Sequence, residues 1–212
     1  VGGEITYQYH ALFRAFLKNR AAVAYTIEEM HQIARRAASS LAAAGQFENA
    51  FALYAEAEDW DAAERLLIES SANLIGQARW QTLVHWVKVF PQARIEASPW
   101  VHYWLGRSLT PVDPASARTQ LENAYQAFVD TGDEIGQLLS ATTILEGIYF
   151  EFGNLKPMDP WIERLVVLIG KGVRPPTRED DLRANSVVMM GATFRVPWHS
   201  MLDSCLHRVR EL

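Results

Sequence analysis

A short segment that ends one helix and begins the next occurs twice early in this chain. Gly45-Gln46-Phe47-Glu48-Asn49-Ala50 matches Glu58-Asp59-Trp60-Asp61-Ala62-Ala63 at an offset of 13 residues. Each copy joins a turn to an aromatic residue that fills the turn, and then to an alanine. A small side chain at that position lets two helices approach closely. The repeat therefore restricts the fold to closely stacked helices.

The helices around these turns are predicted to be short. Gly45 is expected to end one helix in the left-handed conformation. The next two helices are expected to run from Asn49 to Glu56 and from Asp61 to about Ser70. Helices of about two or three turns are marginal alone, so they must stack on neighbours. This pattern predicts an α-solenoid of paired helices.

Helix-start signals along the rest of the chain support an all-α class. Thr26-Ile27-Glu28-Glu29 has the form of a capping box, in which a hydroxyl and a carboxylate three residues later satisfy early backbone amides. A cap residue followed by proline occurs at Ser98-Pro99, Asp113-Pro114 and Asp159-Pro160. No segment after Tyr9 has a convincing strand pattern.

The composition is that of a globular chain and excludes several kinds of function. Of the 212 residues, 49% are hydrophobic and 21% are charged, and the formal net charge is −5. No broad basic field attracts nucleic acid. Cys205 is the only cysteine, so no intrachain disulfide can form and a reducing compartment is favoured. No apolar run approaches the roughly 18 residues of a membrane span. The predicted localisation is cytoplasmic, with no membrane partner and no direct contact with nucleic acid.

The first residues indicate that the chain starts inside another domain. Tyr7-Gln8-Tyr9 alternates like a short strand that has no partner strand before it. A helix follows whose apolar residues have helical spacing and are Leu12, Phe13, Phe16 and Leu17. We therefore expect a piece of a longer protein, in which residues 170–177 are the best candidate for a linker.

A block of aromatic residues is the strongest candidate for a binding surface. Its members share flat apolar faces with one hydrogen-bonding atom, and they are Trp80, Trp86, Trp100, Tyr103, Trp104 and Tyr149. Such side chains suit sugar rings or a peptide if they line a groove. The alternative is that they pack between repeat helices. The spacing of three or four residues among Trp100, Tyr103 and Trp104 places these three on one helical face in either case.

Residue patterns typical of metal binding or catalysis are missing. None of the six histidines lies in a His-Glu-x-x-His sequence or at a metal-ligand spacing from Cys205. Glu28-Glu29 and Asp180-Asp181 are adjacent pairs whose side chains diverge on a helix, unlike the acid and base of a hydrolase. No Gly-x-Ser-x-Gly sequence occurs. An enzyme is therefore the function that the sequence supports least.

Several segments between residues 7 and 106 occur in an order that resembles one family. They are Tyr7–Leu17, His31–Ala38, Gly45–Ala50, Asp59–Leu67, Trp86–Pro91 and Pro99–Leu105. Together they resemble the end of the winged helix and the start of the tetratricopeptide-like superhelix in MalT-like regulators. These are LuxR-family, ATP-dependent transcription factors of the signal-transduction ATPase class. Ala11 stands where the family usually has proline, and beyond residue 110 the likeness is only to generic helical repeats.

The resemblance implies a domain division and a set of partners. Residues 1–25 would be the remnant of a small winged helix, and residues 26–212 a tetratricopeptide-like sensor region. ATP or ADP would bind to an upstream domain of the intact protein, because this chain has no Gly-x-x-x-x-Gly-Lys-Ser/Thr sequence and needs no cofactor of its own. The expected partners are other domains of the same polypeptide and a small-molecule effector or a protein.

The resemblance also singles out His10. Related ATPases place the histidine of a Met-His-Asp motif on the β-phosphate of ADP, at the start of an equivalent helix. Tyr9-His10-Ala11 matches only the histidine. An imidazole beside helix amides can contact a phosphate, so His10 is expected to sense nucleotide in the intact protein. The alternative is that it packs the strand onto the helix.

The function implied by the resemblance is non-catalytic. The chain would couple binding of an effector or partner to the nucleotide switch and to activation of transcription. Small shifts in each stacked hairpin can add up along such an array. The alternative from a different class is a general protein-interaction scaffold with no small-molecule ligand.

Overall fold

In a computed structural model, all regular secondary structure in the described part of the chain is helical, which confirms the all-α class. The structure describes residues 10–151, 153–197 and 200–212. The predicted strand Tyr7–Tyr9 lies outside these residues. Within them are a 3-10 helix, Lys156–Met158, and twelve α-helices. The α-helices are α1 (Ala11–Ala24), α2 (Ile27–Ala43), α3 (Phe47–Glu56), α4 (Trp60–Gly76), α5 (Trp80–Val89), α6 (Gln92–Ala97), α7 (Pro99–Leu109), α8 (Pro114–Thr131), α9 (Glu134–Phe150), α10 (Asp159–Gly170), α11 (Arg178–Arg195) and α12 (Met201–Glu211).

The chain divides into two compact units, residues 1–66 and residues 67–212. The division falls inside α4. The boundary at residue 25 is a prediction about family organisation that this division leaves untested. Residues 170–177 include the end of α10 and the turn before α11, and both of these helices belong to the second unit. No helix in the described ranges is both long enough and apolar enough to cross a lipid bilayer.

In the first unit, α2 packs against α3 and begins with the predicted capping box. The Thr26 hydroxyl accepts a hydrogen bond from the Glu29 amide at 3.3 Å, and the Glu29 carboxylate accepts one from the Thr26 amide at 2.8 Å. The apolar residues of α1 have the predicted helical spacing, but they are exposed: Leu12 is 76% exposed and Phe16 56%. An apolar stripe on α1 is therefore left uncovered among the described residues.

The repeated turns have the predicted geometry. Gly45 has a φ of 75° and Glu58, its counterpart, a φ of 50°. The amide that follows each bonds to the carbonyl five residues earlier, as in a Schellman motif. Ala50 and Ala63 are both fully buried, which agrees with their role at close helix contacts. The second repeat helix is longer than predicted, because α4 continues to Gly76.

A third copy of this turn was missed in the sequence. Ala78 has a φ of 58°, and the Arg79 amide bonds to the Leu74 carbonyl at 2.8 Å. α5 then begins at Trp80, the counterpart of Phe47 and Trp60 in the two predicted copies.

In the second unit, helices pack mostly on their neighbours in sequence. α7 packs on α8, α8 on α9, α9 on α10 and α11 on α12. In addition, α5 packs on α7, α7 on α9, and α9 on α11. Ser98 and Asp113 cap α7 and α8, and each is followed by a proline at the first position of the helix, as predicted. Asp159 lies in the first turn of α10, but its carboxylate pairs with Arg195 in place of capping the helix.

Candidate functional site

A groove of about 630 Å³ lies among α5, α6, α7 and α8 in the second unit. Its volume and mixed lining are typical of pockets that bind small molecules. We call it the α5–α8 groove. It is lined by Val84, Val87, Lys88, Phe90, Gln92, Ile95, His102, Leu105, Leu109, Asp113, Ser116 and Gln120.

The groove is built from one stripe of each long helix. His102, Leu105 and Leu109 are three and four residues apart on α7, and Asp113, Ser116 and Gln120 have the same spacing at the start of α8. Residues at this spacing share a helical face. The apolar part comes mainly from α5 and α7, and the polar part from the first turns of α8.

The polar groups of the groove are of three kinds. His102 Nδ1 lies 2.7 Å from Gln120 Oε1, and with that oxygen accepting, His102 Nε2 keeps a lone pair. Lys88 supplies an ammonium group that has no ion-pair partner among the described residues. Hydrogen bonds from the Ser116 hydroxyl and backbone amide hold the pKa of Asp113 below its ordinary value of 3.8, so this carboxylate stays charged at neutral pH. The groove thus offers a hydrogen-bond acceptor, a cation and an anion beside apolar side chains.

The predicted aromatic residues do not line this groove. Tyr103 is fully buried, Trp86 and Trp104 are almost fully buried, and Trp80, Trp100 and Tyr149 are half-buried. On α7 the aromatic residues lie about half a helical turn away from the stripe of His102, Leu105 and Leu109. The face of α7 that carries the aromatic residues is therefore opposite to the face that lines the groove.

The structure brings Trp100, Tyr103 and Trp104 of the predicted aromatic residues into contact. The Trp100 ring lies edge-on to Tyr103 at 5.7 Å and to Phe128 at 4.9 Å, and Tyr103 lies edge-on to Trp104 at 4.9 Å. Tyr149 is in a separate cluster and contacts Phe194 at 5.8 Å. For Tyr103 these contacts agree with packing between helices. A ligand-binding role for the half-buried Trp80, Trp100 and Tyr149 stays a prediction.

His10 occupies the N-cap of α1 and is exposed. Its Nδ1 accepts a hydrogen bond from the Leu12 amide at 3.4 Å. This leaves Nε2 as the ring atom able to contact a further group. The position at a helix start matches the sequence expectation, and the nucleotide contact itself stays a prediction.

On the aromatic side of α7, a network of charged groups joins α7, α9 and α11. Arg183 on α11 donates to both carboxylate oxygens of Glu146 on α9, with Nε at 3.0 Å from Oε1 and Nη2 at 2.5 Å from Oε2. Arg183 also contacts Asp180 at 3.0 Å, and Asp180 lies 3.7 Å from Arg107 on α7. Arg107 lies over the Trp104 ring at 5.4 Å. We call these four charged residues the α7–α9–α11 network.

The network is half-buried and has balanced charge. Its four side chains are between 14% and 23% exposed. Burial alone would lower the pKa of Arg183, but its hydrogen bonds and charge interaction with Glu146, together with the charge of Asp180, raise the pKa overall. Arg183 therefore stays charged, and its bidentate pair fixes the geometry between α9 and α11.

No group of three or more histidine, cysteine, aspartate or glutamate side chains arranged to hold a metal ion occurs in the described ranges.

Comparison of the chain with protein-family models, with curated proteins and with solved structures finds no match. No pattern in the sequence pointed to a binding role for His102, Gln120 or Lys88.

Proposed function

We propose that this chain is a non-catalytic helical-repeat module of a MalT-like transcriptional regulator, which couples effector or partner binding to a nucleotide switch. The observation that carries the proposal is the arrangement of α7. One face of this helix lines the α5–α8 groove, and the opposite face carries Arg107 of the α7–α9–α11 network. A ligand in the groove therefore acts on a helix that is tied to α11 by charged side chains.

In this proposal the second unit is an α-solenoid of tetratricopeptide-like hairpins. Its support is the packing of each helix on the next, together with the packing of α5, α7, α9 and α11 on one another in series. Such an array transmits small shifts along its length. The rest of the proposal follows the family resemblance: a cytoplasmic protein whose upstream domain binds ATP or ADP, with His10 near the nucleotide.

The coupling works through differential contacts. A ligand shifts a conformational equilibrium only if it binds one arrangement of the helices more tightly than the other. Displacement of α7 by a bound ligand changes the 3.7 Å contact between Arg107 and Asp180, whereas the bidentate Arg183–Glu146 pair keeps α9 and α11 together. The weaker contact is thus the one expected to open.

A thermal-shift screen of the chain against sugars, nucleosides and amino acids tests the ligand part of the proposal. A ligand at about one hundred times its Kd adds about 2.7 kcal/mol to the free energy of unfolding. For a chain of this length that corresponds to a rise in Tm of roughly 5–10 °C. Ser116→Trp places a large ring in the groove and should abolish the shift. Thr119→Trp is the matched control, because Thr119 is an exposed hydroxyl residue of α8 outside the groove lining.

A compound that raises the Tm of Ser116→Trp as much as that of the unmodified chain would place its binding site elsewhere and contradict the proposal. In the full-length regulator, a compound that binds in the groove should also change transcription from a reporter. Ser116→Trp should lose that response while Thr119→Trp keeps it. Binding without any change in transcription would refute the coupling role.

The exposed apolar surface of the first unit favours a second candidate function, a protein-interaction scaffold without a small ligand. Ile27 is 76% exposed and Val23 87%, and a mainly apolar pocket of about 420 Å³ lies among α1, α2 and α3. Contiguous apolar surface of this kind commonly marks a protein contact. Absence of any thermal shift in the screen, combined with purification of a defined partner that protects α1 and α2 from hydrogen exchange, would favour this function.

A further inference from the structure

A second pocket of the second unit, separate from the α5–α8 groove, is lined by Arg164, whose guanidinium has no ion-pair partner among the described residues. It has a volume of about 400 Å³ and lies along one face of α10, opposite residues of α8 and α9. Its lining is Tyr125, Gln137, Pro160, Glu163, Arg164, Val167, Leu168 and Lys171. The α10 residues among them recur at spacings of three and four, so they form a continuous strip of the helix surface.

Arg164 is held in this pocket by two aromatic rings. Its guanidinium carbon lies 4.2 Å from the centre of the Trp161 ring and 5.1 Å from that of Tyr125. The centres of the two rings are 5.1 Å apart and their planes are at 90°, an edge-to-face arrangement. Stacking of this kind orients a guanidinium while leaving its N–H groups at the edge free to donate. Among the described residues, Arg164 makes no hydrogen bond and no ion pair.

Tyr125 adds a second unused donor. Burial raises the pKa of its phenol, which the positive charges of Arg164 and Lys171 lower in part, so the hydroxyl is neutral and able to donate. No described residue hydrogen-bonds to that hydroxyl. Gln137 uses its amide nitrogen on the Phe128 carbonyl at 3.1 Å, and Lys171 pairs with Glu134 at 2.8 Å. Arg164 and Tyr125 are therefore the donor side chains of the lining that make no hydrogen bond to a described residue, whereas Gln137 and Lys171 each make one.

We propose that this α8–α10 pocket binds an organic monocarboxylate with an apolar body. The guanidinium of Arg164 would take the carboxylate through its fork of N–H groups, and the Tyr125 hydroxyl would donate a further bond. Pro160, Val167 and Leu168 supply the apolar surface for the rest of the ligand. Glu163 also lines the pocket, and its negative charge disfavours a dianion such as phosphate more than a single carboxylate.

The probe for this site is 3-phenylpropionate, compared with its amide, 3-phenylpropionamide, and with inorganic phosphate. Binding to the full chain is measured by titration calorimetry and by ligand-observed saturation-transfer NMR. A charge-assisted contact of about 1.5–3 kcal/mol corresponds to a loss of roughly tenfold or more when the carboxylate becomes an amide. We expect the carboxylate to bind with a Kd of about 1 mM or tighter, and phosphate to bind at least tenfold more weakly.

Arg164→Gln should remove this binding while the far-UV circular dichroism stays unchanged, since Arg164 is exposed. Arg164→Lys keeps the charge and loses the planar fork, so it should weaken binding less than the glutamine variant. Arg178→Gln, an exposed arginine at the start of α11 outside the pocket, is the matched control and should bind as the unmodified chain does. The proposal is overturned by equal binding of the amide, by phosphate binding as tight as the carboxylate, by retained binding in Arg164→Gln, or by no binding of the carboxylate at about 10 mM, a concentration well above the expected Kd.

Discussion

Two glycines of α9 should respond to the same substitution with opposite sign. A Cβ at Gly136 would lie 2.4 to 2.6 Å from three ring atoms of Phe128, whereas a Cβ at Gly147 would meet nothing nearer than Thr110 Cγ2 at 3.8 Å. Ordinary carbon contacts are about 3.5–4.0 Å, so the Phe128 ring must move by about 1 Å in Gly136→Ala. Phe128 is 1% exposed and already lies 4.9 Å from the Trp100 ring, which leaves it little room.

The magnitudes follow from packing and helix propensity. Overpacking a core costs about 1–3 kcal/mol, and alanine is better than glycine inside a helix by up to about 1 kcal/mol. Gly136→Ala should therefore lower the free energy of unfolding by about 1–2 kcal/mol. Gly147→Ala should raise it by up to about 1 kcal/mol, because only the propensity changes.

Urea unfolding followed by far-UV circular dichroism measures both variants against the unmodified chain. With a slope of about 1–3 kcal/mol per molar urea, their midpoints should differ by about 1 M. The slopes themselves should agree among the three proteins. Equal stability of Gly136→Ala and Gly147→Ala would show that the close approach of α8 and α9 at Phe128 is not a tight contact.

Three further substitutions and one control test the repeated turns and the last helix pair. Ala78→Gly should stabilise the chain by about 1 kcal/mol in urea unfolding, since it relieves a φ of 58°, while Gly45→Ala at a φ of 75° should destabilise it by a similar amount. Asp181→Asn should cost about 1–3 kcal/mol, because this 4% exposed carboxylate accepts two hydrogen bonds from Arg208 and one from Asn185. Its control, Asp203→Asn on the exposed side of α12, should change stability by less than about 0.5 kcal/mol; a loss equal to that of Asp181→Asn would show that the Asp181–Arg208 pair is not the cause.

Local chemistry made the helix ends predictable. The left-handed turn at Gly45, the capping box at Thr26 and the proline-backed caps at Ser98 and Asp113 are all found where the sequence placed them. Each depends on residues within five positions of one another. The third copy of the turn was missed because Ala78 stands where the first copy has glycine and because it follows Glu58 by 20 residues in place of 13. Its left-handed conformation runs against the preference of alanine and is accompanied by the backbone hydrogen bond from Arg79 to Leu74.

The groove and the charged network were not predictable, because both depend on contacts between distant helices. Arg107 and Asp180 are 73 residues apart in sequence and Glu146 and Arg183 are 37 apart. The prediction of a binding surface rested on the aromatic residues of α7, which lie on its packed face. The groove is lined by His102, Leu105 and Leu109 on the opposite face of that helix. Large aromatic side chains are informative about burial, but burial by a neighbouring helix and burial by a ligand look alike in a sequence.

The position of α9 explains why the charged network can matter. This helix is buried on nearly every side, and it packs on α7, α8, α10 and α11. Its hydroxyl residues Thr142 and Thr143 donate to carbonyls one turn earlier in the same helix, and the Thr143 oxygen also accepts from Arg183 at 3.5 Å. A helix enclosed in this way is fixed by packing, since close-packed interiors deform little. Movement of α7 relative to α11 must then change contacts at the surface of α9. There Glu146 binds Arg183 of α11, and the 3.7 Å contact between Asp180 and Arg107 links α11 to α7.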